Sequence, residues 1–215
     1  MIALNLRTAF YRLHGLTAIL CLLVCGCLQT PNAGPKNEPT LLGPEANSPV
    51  QGADRPPSAR TLYAMAEILA AQGKDNECEF VLRRCVGQYP SFTPAYNSLA
   101  EVRMRQGRIH QAADTLLKAL AIRPQDPILL NNLGMCYLVQ KHNEEALNCF
   151  TRAAGLVPES QKYRANMAAA LGLLGRHEEA FALLQQVLPR EQARNNADVL
   201  REAFEKHLTP GEISG

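Results

Sequence analysis

The chain has 215 residues, 47% of them hydrophobic and 20% charged, and its 22 basic and 20 acidic residues leave a formal net charge of +2. That apolar fraction suffices for a packed core in one or two domains. The near-even charge excludes a nucleic-acid binder built on a basic surface and an acidic, disordered chain. Composition is uneven along the chain: residues 1–27 contain Arg7 and Arg12 but no carboxylate, and seven of the 14 prolines fall between Leu28 and Ser58.

The basic segment Met1–Gly15 precedes a short apolar run, Leu16–Val24. Nine residues are too few for a spanning helix, which needs about 20, but match the core of a signal peptide. Val24-Cys25-Gly26-Cys27 follows, and it resembles the lipobox of bacterial lipoproteins. The resemblance implies cleavage after Gly26, lipidation of Cys27 and attachment to a membrane with the chain facing the periplasm. A single acyl chain anchors weakly, and the family's triacylated cysteine overcomes that. Leu28, where enterobacterial lipoproteins retained in the inner membrane carry aspartate, favours the outer membrane. An ordinary cleaved signal peptide, or a cytoplasmic protein with a buried apolar helix, is the alternative. The domain boundaries expected here are 1–27 for the signal and 28–58 for a proline-rich, disordered linker.

Residues Ala59, Thr93, Pro127 and Gln161 start four copies of one 34-residue pattern, spanning 59–92, 93–126, 127–160 and 161–194. The seventh and eighth positions read Met65-Ala66, Leu99-Ala100, Leu133-Gly134 and Met167-Ala168. The twentieth reads Cys78, Ala112, Ala146 and Ala180; the twenty-fourth Leu82, Leu116, Phe150 and Leu184. Pro90, Pro124 and Pro158 end the first three units. Small residues at two helical positions let a pair of antiparallel helices approach, and larger ones fill the space between them. Gly73, Gly107 and Gly175 suit left-handed C-caps. Thr93 and Asp126 precede first-turn prolines as caps, Asp75 and Asn143 are placed to cap second helices, and Glu144, Glu145, Glu178 and Glu179 suit first turns.

This pattern resembles the tetratricopeptide repeat. The resemblance implies an all-α, right-handed superhelix of four helix-turn-helix units. After Arg194, Ala197, Leu200, Phe204 and Leu208 recur at helical spacing, which predicts a capping helix over 195–208 covering the array's apolar end, with 209–215 as a tail. A partner-binding helix is the alternative.

Chemistry is hard to find. His110, His142, His177 and His207 lack metal-ligand spacing and are expected on the surface; no glycine-rich phosphate loop occurs, so neither catalysis, cofactor nor metal is expected. Cys78 and Cys85 replace small packing residues and lie too far apart on one helix to pair. Cys136 and Cys149 sit on facing helices and are able to pair, though free, buried thiols are favoured.

In the repeat family the first helices line a concave groove. That places Asn97 and Asn131 at the fifth position of their units, and Asn132 and Asn166 at the sixth, on a peptide-binding surface, since an amide both donates to and accepts from a peptide backbone. Asparagine without any ligand fits these positions equally well. Met135, Leu138, Val139 and Leu173 are expected to make the far half of the groove apolar. The family's carboxylate clamp is absent, because the ninth positions are Glu67, Glu101, Met135 and Ala169.

The expected protein is an adaptor that binds other proteins and neither nucleic acid nor a small-molecule substrate. The stretch from Ala165 through Gly175 to Ala197 resembles the end of the tetratricopeptide lipoproteins of Flp (tight-adherence) pilus assembly, which implies pilus or secretin components as partners. A periplasmic scaffold for cell-wall or outer-membrane biogenesis proteins is the rival reading.

Overall fold

The computed structural model describes residues 56–208, and the side chains of 207 and 208 lie outside that description. The signal segment with Cys27, the linker up to residue 55, the tail and the side chain of His207 therefore fall outside that description. Within the described residues run nine helices and no strand: α1 (Ala59–Ala71), α2 (Asp75–Gln88), α3 (Thr93–Arg105), α4 (Ile109–Ile122), α5 (Pro127–Val139), α6 (Asn143–Leu156), α7 (Gln161–Leu173), α8 (His177–Val187) and α9 (Arg190–Leu208). The first helix of each pair begins 34 residues after the last, and α1 to α8 form four antiparallel pairs wound into an all-α, right-handed superhelix.

Each pair packs through the small and large positions of the pattern. Ala66, Ala100 and Ala168 are buried against leucines Leu82, Leu116 and Leu184 of their partner helices. Unit three differs at both positions together. There a Cβ on Gly134 would lie 2.6 Å from Phe150 Cε1, so the larger ring at position 24 requires glycine at position 8. Cys78 and Cys85 fill alanine positions at almost no exposure, and their thiols donate to the carbonyls of Ala66 (3.3 Å) and Ala59 (3.6 Å). Cys78, Cys85, Cys136 and Cys149 are all free and buried, and burial pushes the Cys136 thiol up to about 12.

Several ends differ from expectation. Asp126 does cap α5, accepting from the amides of Ile128 (3.0 Å) and Leu129 (3.2 Å). Thr93 does not cap α3; it is the first residue of the helix and is buried, with Arg123 Nη1 3.5 Å from its hydroxyl. Asp75 and Asn143 are likewise one residue inside their helices and reach forward to the next unit. Asp75 accepts from Arg105 Nη2 (2.7 Å) and Nε (3.3 Å), and Asn143 donates to the carbonyl of Leu173 (3.1 Å). Two serine caps escaped the sequence reading: Ser58 accepts from the Thr61 amide and Ser160 from that of Tyr163. The left-handed turns fall at Gly73, Gly107 and Gly175 as expected, and in unit three at Lys141, with φ +63°.

The closing helix starts at Arg190, five residues ahead of the expected 195, because Pro189 supplies the carbonyl that accepts from the Ala193 amide. Residues 190–194 are thus part of the cap. Ala193, Leu200 and Ala203 are buried against unit four, and a Cβ on Gly172 would lie 2.7 Å from Leu200 Cβ. His177, expected on the surface, is partly buried and meets the edge of Phe204 with ring centroids 5.3 Å apart.

Candidate functional site

Consecutive first helices touch, α3 against α5 and α5 against α7, while consecutive second helices stand further apart. The array therefore bends with its first helices on the inner side. There the fifth position of one unit meets the sixth of the next, 35 residues on, in three successive rungs. Tyr63 Oη lies 3.2 Å from Ser98 Oγ, Asn132 Nδ2 donates to Asn97 Oδ1 (2.8 Å), and Asn166 Nδ2 donates to Asn131 Oδ1 (2.7 Å).

The rungs are joined. Asn131 Nδ2 donates to Asn132 Oδ1 (3.1 Å), Asn97 Nδ2 to Glu101 Oε1 (2.8 Å), and Asn132 Nδ2 also reaches that carboxylate oxygen at 3.3 Å. An amide relay thus runs from Asn166 through Asn131, Asn132 and Asn97 to Glu101. Its two ends differ in access. Asn131 and Asn166 are 1% and 7% exposed, whereas Asn97 and Asn132 are half-buried and Glu101 is exposed. Of the amides placed in the groove by the sequence, Asn131 and Asn166 serve the packing between units three and four, and Asn97 and Asn132 present an accessible polar edge. The apolar far half is corrected more sharply. Met135, Leu138 and Leu173 are buried in the core shared by units three and four, and Val139 is the one of the four that is exposed. Short first helices in close contact leave no room for these larger side chains to face outward.

A second surface lies on the outer side and was not foreseen. Where α4 and α6 diverge they leave a groove of about 780 Å³. Leu117, Leu120, Leu133, Tyr137 and Leu147 form its apolar lining, with Glu144, Glu145 and Arg152 at its edge. Its sequence signal is faint: Leu117 sits on the outer face of a second helix and is 46% exposed.

Units one and two are joined by an ionic cluster. Glu79 on α2 is buried and takes hydrogen bonds from Arg103 Nε (3.2 Å) and from Arg108. Arg103 Nη1 also donates to Thr115 Oγ1 at 2.5 Å. Burial raises the Glu79 carboxyl, but the bonds and charges of Arg108 and Arg103 outweigh it and hold the group below the ordinary 4.5. Arg103 occupies position 11, where the other units carry Leu69, Tyr137 and Leu171, and that substitution marks the cluster in the sequence.

Residues 92–159 match the family model of the tetratricopeptide repeat. A TPR repeat-containing protein, YvcD of Bacillus subtilis (strain 168), is 25% identical over 122 residues, 57% of this chain and 25% of its own length. Protein O-mannosyl-transferase TMTC1 of Mus musculus is 26% identical over 61% of this chain and 14% of its own length. Anaphase-promoting complex subunit 3 of Schizosaccharomyces pombe (strain 972 / ATCC 24843) is 32% identical over 43% of this chain and 14% of its length. The chain thus spans a quarter or less of these relatives.

Among solved structures, YrrB, described as a TPR protein with an unusual peptide-binding site, superposes with a TM-score of 0.59 at 20% identity. That match covers 71% of this chain and 80% of YrrB. A MamA structure gives 0.57 at 13% identity, covering 73% and 97%.

Residues 92–159 thus match the tetratricopeptide repeat, and the described residues as a whole have the tetratricopeptide-repeat fold. Proteins of that class are adaptors that bind other proteins, and the fold is typically a non-catalytic scaffold, although one relative above is named a transferase.

Proposed function

We propose that the chain is a lipid-anchored adaptor of the bacterial envelope. In this reading Cys27 carries the anchor, the outer membrane holds it, and the inner face of the array gathers components of pilus or secretion machinery. The observation that carries the binding surface is the accessible end of the amide relay. Asn97, Asn132 and Glu101 line up polar groups on the concave side, where an extended segment of a partner finds both donors and acceptors. The lipobox residues Val24 to Cys27 and the composition ahead of them support the anchor.

In-cell crosslinking followed by mass spectrometry tests the partner. The native chain is compared with an Asn132→Ala, Glu101→Gln variant, which leaves the buried Asn131–Asn166 rung in place. Loss of pilus or secretin components from the variant supports the reading; partners unchanged by it remove binding from the relay. Cys27→Ser tests the anchor independently: the variant is expected in the soluble fraction, and full retention on membranes after a salt wash refutes lipidation there.

The outer groove between α4 and α6 favours one rival, a periplasmic scaffold that holds two proteins at once. Its signature is recovery of cell-wall or outer-membrane biogenesis proteins whose crosslinks map to Leu117 and Leu147 and persist in the relay variant.

A further inference from the structure

The two ends of the array are finished differently. In α3 and α5 the third, seventh and tenth residues bury against the preceding unit: Ala95, Leu99 and Val102, then Leu129, Leu133 and Cys136. Their counterparts in α1 are Thr61, Met65 and Ile68, and all three are exposed, Met65 at 46% and Ile68 at 59%. The opposite end is closed, because α9 lays Leu200 over Gly172 and Phe204 over Gly175.

This asymmetry restricts what a second copy can do. Head-to-tail stacking needs the surface that α9 occupies, so among the described residues the open end of one copy is left the open end of another to meet. Such a contact is isologous and closes as a two-fold pair. The charges along α1 are arranged for it. Arg60 and Glu67 are seven residues apart on one edge of the helix, both exposed, and neither enters an ion pair among the described residues. When two α1 helices run antiparallel, Arg60 of each copy falls beside Glu67 of the other. Met65 then faces Met65 near the axis, and Thr61 lies over the small Ala64. Sliding to the register that brings the two Glu67 side chains together sets like charges opposite each other, which disfavours it.

We propose that the chain forms a head-to-head dimer through the exposed face of α1, with Met65 and Ile68 as its apolar contacts and reciprocal Arg60–Glu67 pairs fixing its register. One helix face is a small interface, below about 1,200 Å² in total, so a dimer of about micromolar strength is expected.

Sedimentation equilibrium of the full chain in density-matched detergent, from about 1 to 100 µM, should show mass rising from one chain to two. Arg60→Glu and Glu67→Arg should each weaken association about tenfold or more, and the double exchange should restore it, with helix content unchanged throughout by circular dichroism. Met65→Cys should join two copies through a short bismaleimide, with the link mapped by mass spectrometry to residue 65 of each copy. A single-chain mass at 100 µM overturns the proposal. So does a double exchange as weak as the single ones, or a crosslink from residue 65 to residues 1–55 of the same chain, which would make that segment the occupant of the face.

Discussion

Lys141 holds a left-handed backbone, φ +63°, at the position where the other three units have glycine. A side chain there costs about 1 kcal/mol, and Lys141→Gly should raise stability by about that amount, read as a higher urea midpoint with an unchanged slope. Glu79 carries a charge at 8% exposure and is held by two guanidinium groups. Because its folded value is depressed, its contribution is complete above the ordinary 4.5 and drains away as the pH falls through the folded value. Glu79→Gln should cost about 2 kcal/mol at pH 7, and the gap from the native chain should narrow as the pH is lowered from about 5 to about 3. Equilibrium denaturation at a series of pH values checks both; a constant gap refutes the ionic account. Neither residue was singled out from the sequence. Lysine gives no sign of its dihedral angle, and a glutamate on a charged helix reads as solvated until Arg103 and Arg108 are brought to it from another unit.

Helices were far more legible than contacts. The four first helices begin where the 34-residue pattern starts each unit, because small and large residues recur at distances that only a helical pair satisfies. Their polar ends were misread at Thr93, Asp75 and Asn143, whose partners lie about 30 residues away, within the same unit for Thr93 and in the next unit for the other two. Local capping rules see only the nearest turn. Met135 shows the same limit: its position in the unit suggests a groove, but close packing of α5 on α7 buries it at 8% exposure. The last helix offers a direct test of packing at this scale. Gly172→Ala gains helix propensity, about 1 kcal/mol, yet its methyl group would lie 2.7 Å from Leu200 Cβ, an atom fixed to the backbone of α9. Crowding should outweigh propensity, with a net loss of about 1–2 kcal/mol and faster amide exchange confined to α9 and its contacts.

An array in which each unit contacts mainly its neighbours unfolds from its ends, so the order of amide exchange is a property of the whole molecule. Units two and three, covered on both sides, should exchange last in α5 and α6. Glu79→Gln should speed exchange in α1 and α2 while leaving α7 to α9 unaffected, and a uniform increase along the chain would show that the units unfold together. The repeat count was readable from periodicity and the handedness from the resemblance to the repeat family; the helix closing the far end was expected, whereas the exposed face of α1 is visible only once packing has decided which surfaces remain. One more property belongs to the molecule as a whole. Glu101 accepts only, so Asn97 must turn its nitrogen towards it and its oxygen towards Asn132; Asn131 and Asn166 then follow in the same sense. The inner face thereby carries a compass bearing: every amide points the same way, and a strand threaded along it meets a different chemistry from the left than from the right. A cation in place of Glu101 would swing the needle, reversing each amide in turn as far as Asn166, two units away.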